Sequence, residues 1–215
     1  MSTRRALLLS LALLATPVAH AAECELQLGH GWPPATENHG SAVETLLAGG
    51  ASPALSLTWL PPRGVESALM LLPTDNGGDW TLRHARPPER VDDWDRSGGA
   101  LRRVLRIEQQ PEVLEVPIPA ALATRLLDSW QRVLQAGVPA GRNAQFHDDE
   151  LLTFVIGGQR ISGLEPDCGA GELMMEQAGE LVELADEEDA DDRLEGWQDL
   201  QRSLDELDRE LAAAG

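Results

Sequence analysis

The densest group of side chains suited to acid–base chemistry is His147-Asp148-Asp149-Glu150, directly before an apolar run. Two carboxyl groups that act as acid and base need different environments, so that the pKa of one rises while that of the other stays low. Adjacent residues that enter a strand point to opposite faces of the sheet, which argues against cooperation between these groups. We therefore keep His147, Asp148 and Glu150 as acid–base candidates and assign no catalytic residue.

Other catalytic centres lack the residues that they need. The sequence has no G-x-S-x-G string for a serine nucleophile and no Lys for Schiff-base or Walker-type chemistry. It has no H-E-x-x-H pair for zinc, and the string Asp92-Asp93-Trp94-Asp95 lacks the glycine turn and the final Glu of a calcium-binding loop. We therefore predict neither a metal ion nor a cofactor.

The chain contains two cysteines, Cys24 and Cys168. In an exported protein a single pair of cysteines most simply forms a disulfide. The alternative is a redox-active or metal-binding pair, but the sequence has no C-x-x-C string and no supporting histidine cluster. We predict a structural disulfide that ties the start of the mature chain to a point just before its last third.

The aromatic residues are unusual, with six Trp, two Phe and no Tyr. Four of the tryptophans lie in alternating or helical patterns where burial is expected: Trp59, Trp80, Trp130 and Trp197. Trp32 and Trp94 lie in segments that read as loops. Because exposed tryptophans often anchor a binding partner, we take these two as candidate partner contacts.

The first 21 residues have the features of an export signal. Arg4 and Arg5 precede an apolar run, and Ala19-His20-Ala21 places small residues at the positions that a signal peptidase reads. We predict cleavage near Ala21 and a periplasmic or secreted location; the alternative is a buried N-terminal helix. No later apolar run approaches the roughly 18 residues of a membrane span, so we expect no stable membrane anchor.

Acidic residues dominate the charge of the chain. The 215 residues include 17 Arg, no Lys and 36 Asp or Glu, for a net charge of −19. Such a protein repels phosphate backbones and anionic lipids, so we expect neither nucleic acid nor a membrane surface as a partner. The expected partner is another protein of basic character, because opposite electrostatic fields accelerate association.

Alternating apolar residues separated by turn residues predict short strands in the first half of the chain. The predicted strands cover 54–60, 66–72, 80–84, 104–108 and 114–118. Further on, Gly157-Gly158 between two apolar runs predicts a hairpin. Consecutive short strands of this kind form an antiparallel meander with one face on the core.

Apolar residues at helical spacing predict helices at 41–48, at 119–137 and from about Gly171 to Ala185. Together with the strands, they predict an α+β fold in which helices pack on one face of the antiparallel meander.

The last segment, 179–215, carries 14 acidic residues and 3 Arg. Its leucines and Trp197 recur every three or four residues, which predicts an acidic amphipathic helix. Before this helix, the run Asp186-Glu187-Glu188-Asp189 has two interpretations: helix capping with a solvated face, or a docking surface for a partner. The predicted organisation is a signal peptide at 1–21, one α+β domain at 22–178 and an acidic helical extension at 179–215.

The segment from Leu151 to Leu184, a hairpin followed by a helix, resembles uncharacterised exported proteins of gammaproteobacteria, and this resemblance implies no function. The charge and the lack of a catalytic motif predict non-catalytic binding, as in an inhibitor or immunity-type partner of a basic envelope or secreted enzyme. One alternative is a hydrolase of an envelope polymer that uses carboxylates such as Asp148 or Glu150. Another is an envelope assembly factor that docks through its C-terminal helix.

Overall fold

The computed structural model describes residues 24–75, 77–96 and 98–214, so the predicted signal peptide lies outside the described residues. Within these ranges the chain forms a seven-stranded antiparallel sheet, a separate two-stranded ribbon and four helices. The predicted α+β class is confirmed.

The elements have the following bounds. The helices are α1 (Glu37–Ala48), α2 (Ala120–Gly137), α3 (Gly169–Asp186) and α4 (Ala190–Ala214). The strands are β1 (Leu28–His30), β2 (Leu55–Leu60), β3 (Ser67–Leu72), β4 (Trp80–Arg86), β5 (Asp92–Asp95), β6 (Arg102–Leu105), β7 (Glu112–Ile118), β8 (Leu151–Ile156) and β9 (Gln159–Gly163).

The main sheet has the strand order β1-β9-β8-β2-β3-β4-β7. Its meander consists of β2, β3, β4 and β7, and the β8–β9 hairpin joins it on the other side of β2. Gly157 and Gly158 turn this hairpin with φ values of 57° and 74°. These left-handed values suit a two-residue hairpin turn, and glycine adopts them without steric cost.

The prediction of a meander strand at 104–108 is wrong. β6 ends at Leu105 and pairs with β5 in a ribbon outside the main sheet. The expectation that Trp94 lies in a loop is also wrong, because Trp94 is part of β5. Charged side chains link the two strands of the ribbon, and one of these links is an ion pair between Arg103 and Asp92 at 2.5 Å. The ribbon strands lack the alternation of apolar and polar residues from which a strand is predicted.

The main hydrophobic core lies between one face of the sheet and helices α2, α3 and α4. Alternate strand residues such as Leu57, Leu69 and Phe154 point to this face and are buried. Trp130 of α2 packs edge-to-face on Phe154, and its indole N–H donates to the buried amide oxygen of Gln177 on α3 at 2.9 Å. This bond satisfies the polar end of the tryptophan inside the core.

Helix α4 is part of the same core. Its apolar stripe is buried against α2 and α3: Trp197, Leu200, Leu204 and Leu207. Position 179, the predicted start of the acidic extension, lies within α3. The acidic segment is therefore packed on the sheet domain through its apolar side and exposes mainly carboxylates on its other side.

Helix α1 lies on the opposite face of the sheet. Val43 and Leu47 pack there on residues of β2, β3 and β4. A buried Glu66 side chain binds His39 of α1 at 3.0 Å, and Arg83 of β4 donates to the carbonyl of Ala48 at 2.9 Å. α1 covers only part of this face, and it leaves a cleft beside it.

The predicted disulfide between Cys24 and Cys168 is confirmed, with an S–S distance of 2.02 Å. It links residues 144 positions apart, so it restricts the unfolded chain strongly and is worth on the order of 4–5 kcal/mol in the chain-entropy model. A disulfide is consistent with an oxidising compartment. Among the described residues, no helix is both long and apolar enough to cross a bilayer.

Candidate functional site

The three acid–base candidates lie in the segment before β8 and differ in exposure. His147 is half-buried beside Arg142 and Glu25, Asp148 is exposed, and Glu150 is half-buried before β8. Within the described ranges, no hydrogen bond or ion pair joins the three candidates. Burial and the nearby Glu165 carboxylate raise the pKa of Glu150.

The two candidate tryptophans have different environments. Trp94 is 52% exposed on the β5–β6 ribbon, so its indole is accessible to a partner. Trp32 is half-buried: its ring lies against Gly40 of α1, and the Arg160 guanidinium carbon lies 4.5 Å from the ring centroid. A cation at this distance over an indole is a stabilising contact. The contacts of the Trp32 ring are therefore largely with other parts of the protein, and less of the ring is open to a partner.

The acidic run 186–189 begins at the last residue of α3 and leads into α4, and Asp189 caps α4. The Asp189 carboxylate accepts hydrogen bonds from the backbone N–H groups of Asp191 at 2.8 Å and Asp192 at 3.3 Å. Glu187 accepts from the N–H of Asp189 at 2.7 Å. Asp186 and Glu188 are exposed. The capping interpretation is thus correct for Asp189, and it leaves the other carboxylates available.

Some carboxylates of α4 are used inside the protein. Arg125 of α2 binds Asp205 at 2.6 Å and Asp208 at 2.7 Å, and Arg132 also binds Asp208. These arginines lower the pKa of Asp208, chiefly through the hydrogen bond from Arg125. The α2–α4 side of the helical layer is therefore close to charge balance.

The side between α3 and α4 holds more carboxylates than arginines: Arg202 pairs with Asp199, and Arg193 donates to the carbonyl of Glu187. A groove of about 220 Å³ runs between the two helices. We call it the acidic groove and define it by its five carboxylates: Glu180, Glu183, Glu187, Asp192 and Asp199. At roughly 30 Å³ per water molecule, the volume corresponds to about seven waters and can take one long side chain.

The helix geometry explains why these groups converge. Glu180 and Glu183 are three residues apart on one face of α3, and Glu187 follows four residues later as the residue that ends the helix. Gly196 of α4 faces Leu184 of α3 so closely that a Cβ at Gly196 would lie 2.3 Å from Leu184 Cδ2. Both residues line the groove that the carboxylates of the two helices share.

The electrostatic environment of the groove is unfavourable for its own carboxylates. Burial raises the pKa of Glu180, and the neighbouring Glu176 and Glu183 raise it further. Its Oε2 atom is buried, and within the described chain it has no hydrogen-bond partner. A positive group in the groove would offset the repulsion and provide the missing donor.

Sequence reasoning identified Glu187 but missed the rest of the groove. The spacing of Glu180, Glu183 and Glu187 was a usable signal for one acidic face. The convergence with Asp192 and Asp199 depends on how α4 packs on α3, which no local pattern reveals. Among the described residues, no three His, Cys, Asp or Glu side chains are arranged to hold a metal ion.

Comparisons with protein-family models, with curated proteins and with solved structures find no match for this chain.

Proposed function

We propose that the protein is an exported, non-catalytic binding protein that presents its acidic groove to basic side chains of a partner protein. The partner class that fits is a basic envelope or secreted enzyme, which the protein inhibits or to which it confers immunity. The single observation that carries the proposal is the convergence of five carboxylates in a groove of side-chain size.

The charge distribution supports this interpretation. The segment 179–215 holds 14 acidic residues and 3 Arg, and its apolar stripe is turned into the core. A partner therefore meets carboxylates along this side of the molecule. An arginine can bind such a surface through paired hydrogen bonds, which are stronger than neutral ones.

Export is part of the proposal. The basic start, the apolar run and the small residues before position 22 are typical of a signal peptide. The disulfide supports the same location, because such bonds persist in oxidising compartments.

The two alternative functions receive less support. An assembly factor that docks through the apolar stripe of its C-terminal helix would need that stripe to be exposed, and Leu200 and Leu204 are fully buried. For a hydrolase that uses carboxylates such as Asp148 or Glu150, Asp148 is exposed and Glu150 is half-buried, and neither lies in the acidic groove.

The test measures binding of a fluorescently labelled oligo-arginine peptide by anisotropy. We expect binding that weakens strongly as salt is added, because screening acts on exposed charges. The groove variant combines Glu180→Gln, Glu183→Gln and Glu187→Gln. It should bind about tenfold more weakly or worse, since each lost charge-assisted hydrogen bond contributes a large share of the affinity.

A matched control removes the same number of charges elsewhere: Glu37→Gln, Glu108→Gln and Glu112→Gln, all at exposed positions. This control should retain most of the affinity. Equal losses in both triple variants would mean that net charge alone attracts the peptide, and would contradict a role for the groove. Binding that is insensitive to salt would contradict it as well.

A further inference from the structure

A second cavity lies on the other side of the sheet, beside α1. Its volume is about 360 Å³, which falls within the roughly 300–1,000 Å³ typical of small-molecule sites. Its polar lining comes from α1 and from strands β2 and β9: Glu44, Ser56, Thr58 and Arg160. Ala68, Met70 and Val155 provide an apolar floor. We call this cavity the α1 cleft.

An ion pair crosses the α1 cleft. Arg160 Nη2 donates to Glu44 Oε2 at 2.5 Å, and the same guanidinium lies over the ring of Trp32. Burial raises the pKa of Glu44, and Arg160 acts against that rise. The two charges compensate each other, so the cleft presents polar atoms with little net charge.

Three polar atoms of this cleft are buried and have no hydrogen-bond partner in the described part of the chain: Glu44 Oε1, Thr58 Oγ1 and Arg160 Nε. Thr58 is 1% exposed. Unpaired buried polar atoms cost folding free energy and are rare in native proteins. Three of them around one cavity point to a ligand that pairs them.

On the neighbouring strand β8, a threonine hydroxyl of the same sheet face does have a hydrogen-bond partner. Thr153 of β8 is the direct cross-strand partner of Thr58. The hydroxyl of Thr153 forms a hydrogen bond with the Ser162 hydroxyl at 3.2 Å. The sheet therefore pairs one threonine hydroxyl internally and leaves the other facing the cleft.

The chemistry of the three atoms specifies the ligand class. Glu44 Oε1 can only accept a hydrogen bond when it is ionised, Arg160 Nε can only donate, and the Thr58 hydroxyl can do both. Neighbouring hydroxyl groups satisfy all three, because each hydroxyl donates and accepts. An anion would be repelled by Glu44 and a cation by Arg160, whereas the apolar floor suits the C–H groups of a sugar ring.

We propose that the α1 cleft binds a neutral polyhydroxylated molecule of monosaccharide size, held by Glu44, Thr58 and Arg160. The site lies on the opposite face of the sheet from the acidic groove and does not rest on the function proposed above.

The experiment titrates ¹⁵N-labelled full-length mature protein with D-glucose, D-galactose and D-ribose, and separately with phosphate and methylamine as charged probes. We expect at least one sugar to shift the amide resonances of Thr58 and Arg160. In Thr58→Val, which keeps the shape but removes the hydroxyl, binding should weaken about tenfold. The same variant should be as stable as the unmodified protein or more stable, because an unpaired buried hydroxyl is lost.

Thr153→Val is the matched control. It should bind the sugar normally and be less stable, since Ser162 loses its partner. The proposal is overturned if none of the three sugars binds at millimolar concentration, if phosphate or methylamine binds in their place, or if Thr58→Val binds the sugar as the unmodified protein does.

Discussion

The carboxylates of this chain differ in role because their side chains contact different neighbouring groups. Glu66 is completely buried and accepts hydrogen bonds from His39 Nε2 and from the backbone N–H groups of Val91 at 2.9 Å and Asp92 at 3.3 Å. Asp189 caps a helix, and Glu180 faces other carboxylates. One residue type therefore serves as a tertiary link, as a cap and, in the function that we propose, as a binding group.

Glu66 gives the protein a defined sensitivity to acid. Burial alone would raise the pKa of Glu66, but the hydrogen bonds from His39 and from the backbone outweigh it, so the pKa lies below the usual value of 4.5. The stability that Glu66 contributes is therefore complete above pH 4.5 and is lost as the pH falls through the lowered pKa.

We predict that Glu66→Gln lowers the free energy of unfolding at neutral pH by roughly 3 kcal/mol, because it breaks a buried charged network. The variant should also lose part of the acid-dependent decrease in stability. Urea unfolding at several pH values measures both effects. The control is Glu89→Gln, whose exposed pair with Arg106 should be worth less than about 1 kcal/mol. Similar losses in both variants would contradict the account of Glu66.

Variants of Asp189 and of its neighbour Glu188 distinguish the effect of losing a helix cap from the effect of losing a surface charge. Asp189→Ala should lower the free energy of unfolding by about 1 kcal/mol, the usual effect of removing an N-cap. Glu188→Ala should leave it nearly unchanged, since Glu188 is exposed. Thermal unfolding of the two variants makes the comparison. If Glu188→Ala proved as destabilising as Asp189→Ala, the capping assignment would fail.

At the level of the helices, α4 packs on α3 at a glycine that leaves no room for a side chain. Gly196 lies against Leu184, whereas a Cβ at Gly179 of α3 would meet no atom within 4 Å. Both glycines are helical, so the same substitution at each position has the same local effect on the helix. The difference between the two variants reports the packing of α4 on α3.

Gly196→Val should lower the free energy of unfolding by roughly 1–3 kcal/mol, the range for overpacking a filled interface. Gly179→Val should be close to neutral or slightly stabilising, because valine forms helix somewhat better than glycine. Denaturant unfolding provides the measurement. A stabilised Gly196→Val protein would mean that α3 and α4 are not in close contact at this position.

Local sequence patterns predicted the helices and strands better than they predicted which strands pair and which residues meet in the fold. The Gly157-Gly158 turn and the helices followed from residue spacing, and the disulfide followed from the two cysteines of a chain predicted to be exported. The β5–β6 ribbon was missed because charged side chains hold it. The Glu44–Arg160 pair joins residues 116 positions apart, so only the tertiary fold brings them together.

For the whole molecule, the acidic side chains are unevenly distributed around a single layered fold. The sheet separates the two sites that we propose: the acidic groove on the helical side and the α1 cleft on the other. The Cys24–Cys168 disulfide ties the N-terminal segment to the start of α3. The groove therefore lies between two packed helices of a cross-linked domain, which reduces the ordering cost of binding.

The most direct test of the central claim is an NMR titration of ¹⁵N-labelled protein with the oligo-arginine peptide at low ionic strength. Backbone amide shifts locate the contact without any substitution. We predict that the largest shifts lie between residues 180 and 199, along the acidic groove, and that they disappear at high salt. Shifts that are spread evenly over all acidic surfaces, or that are largest outside α3 and α4, would contradict the account.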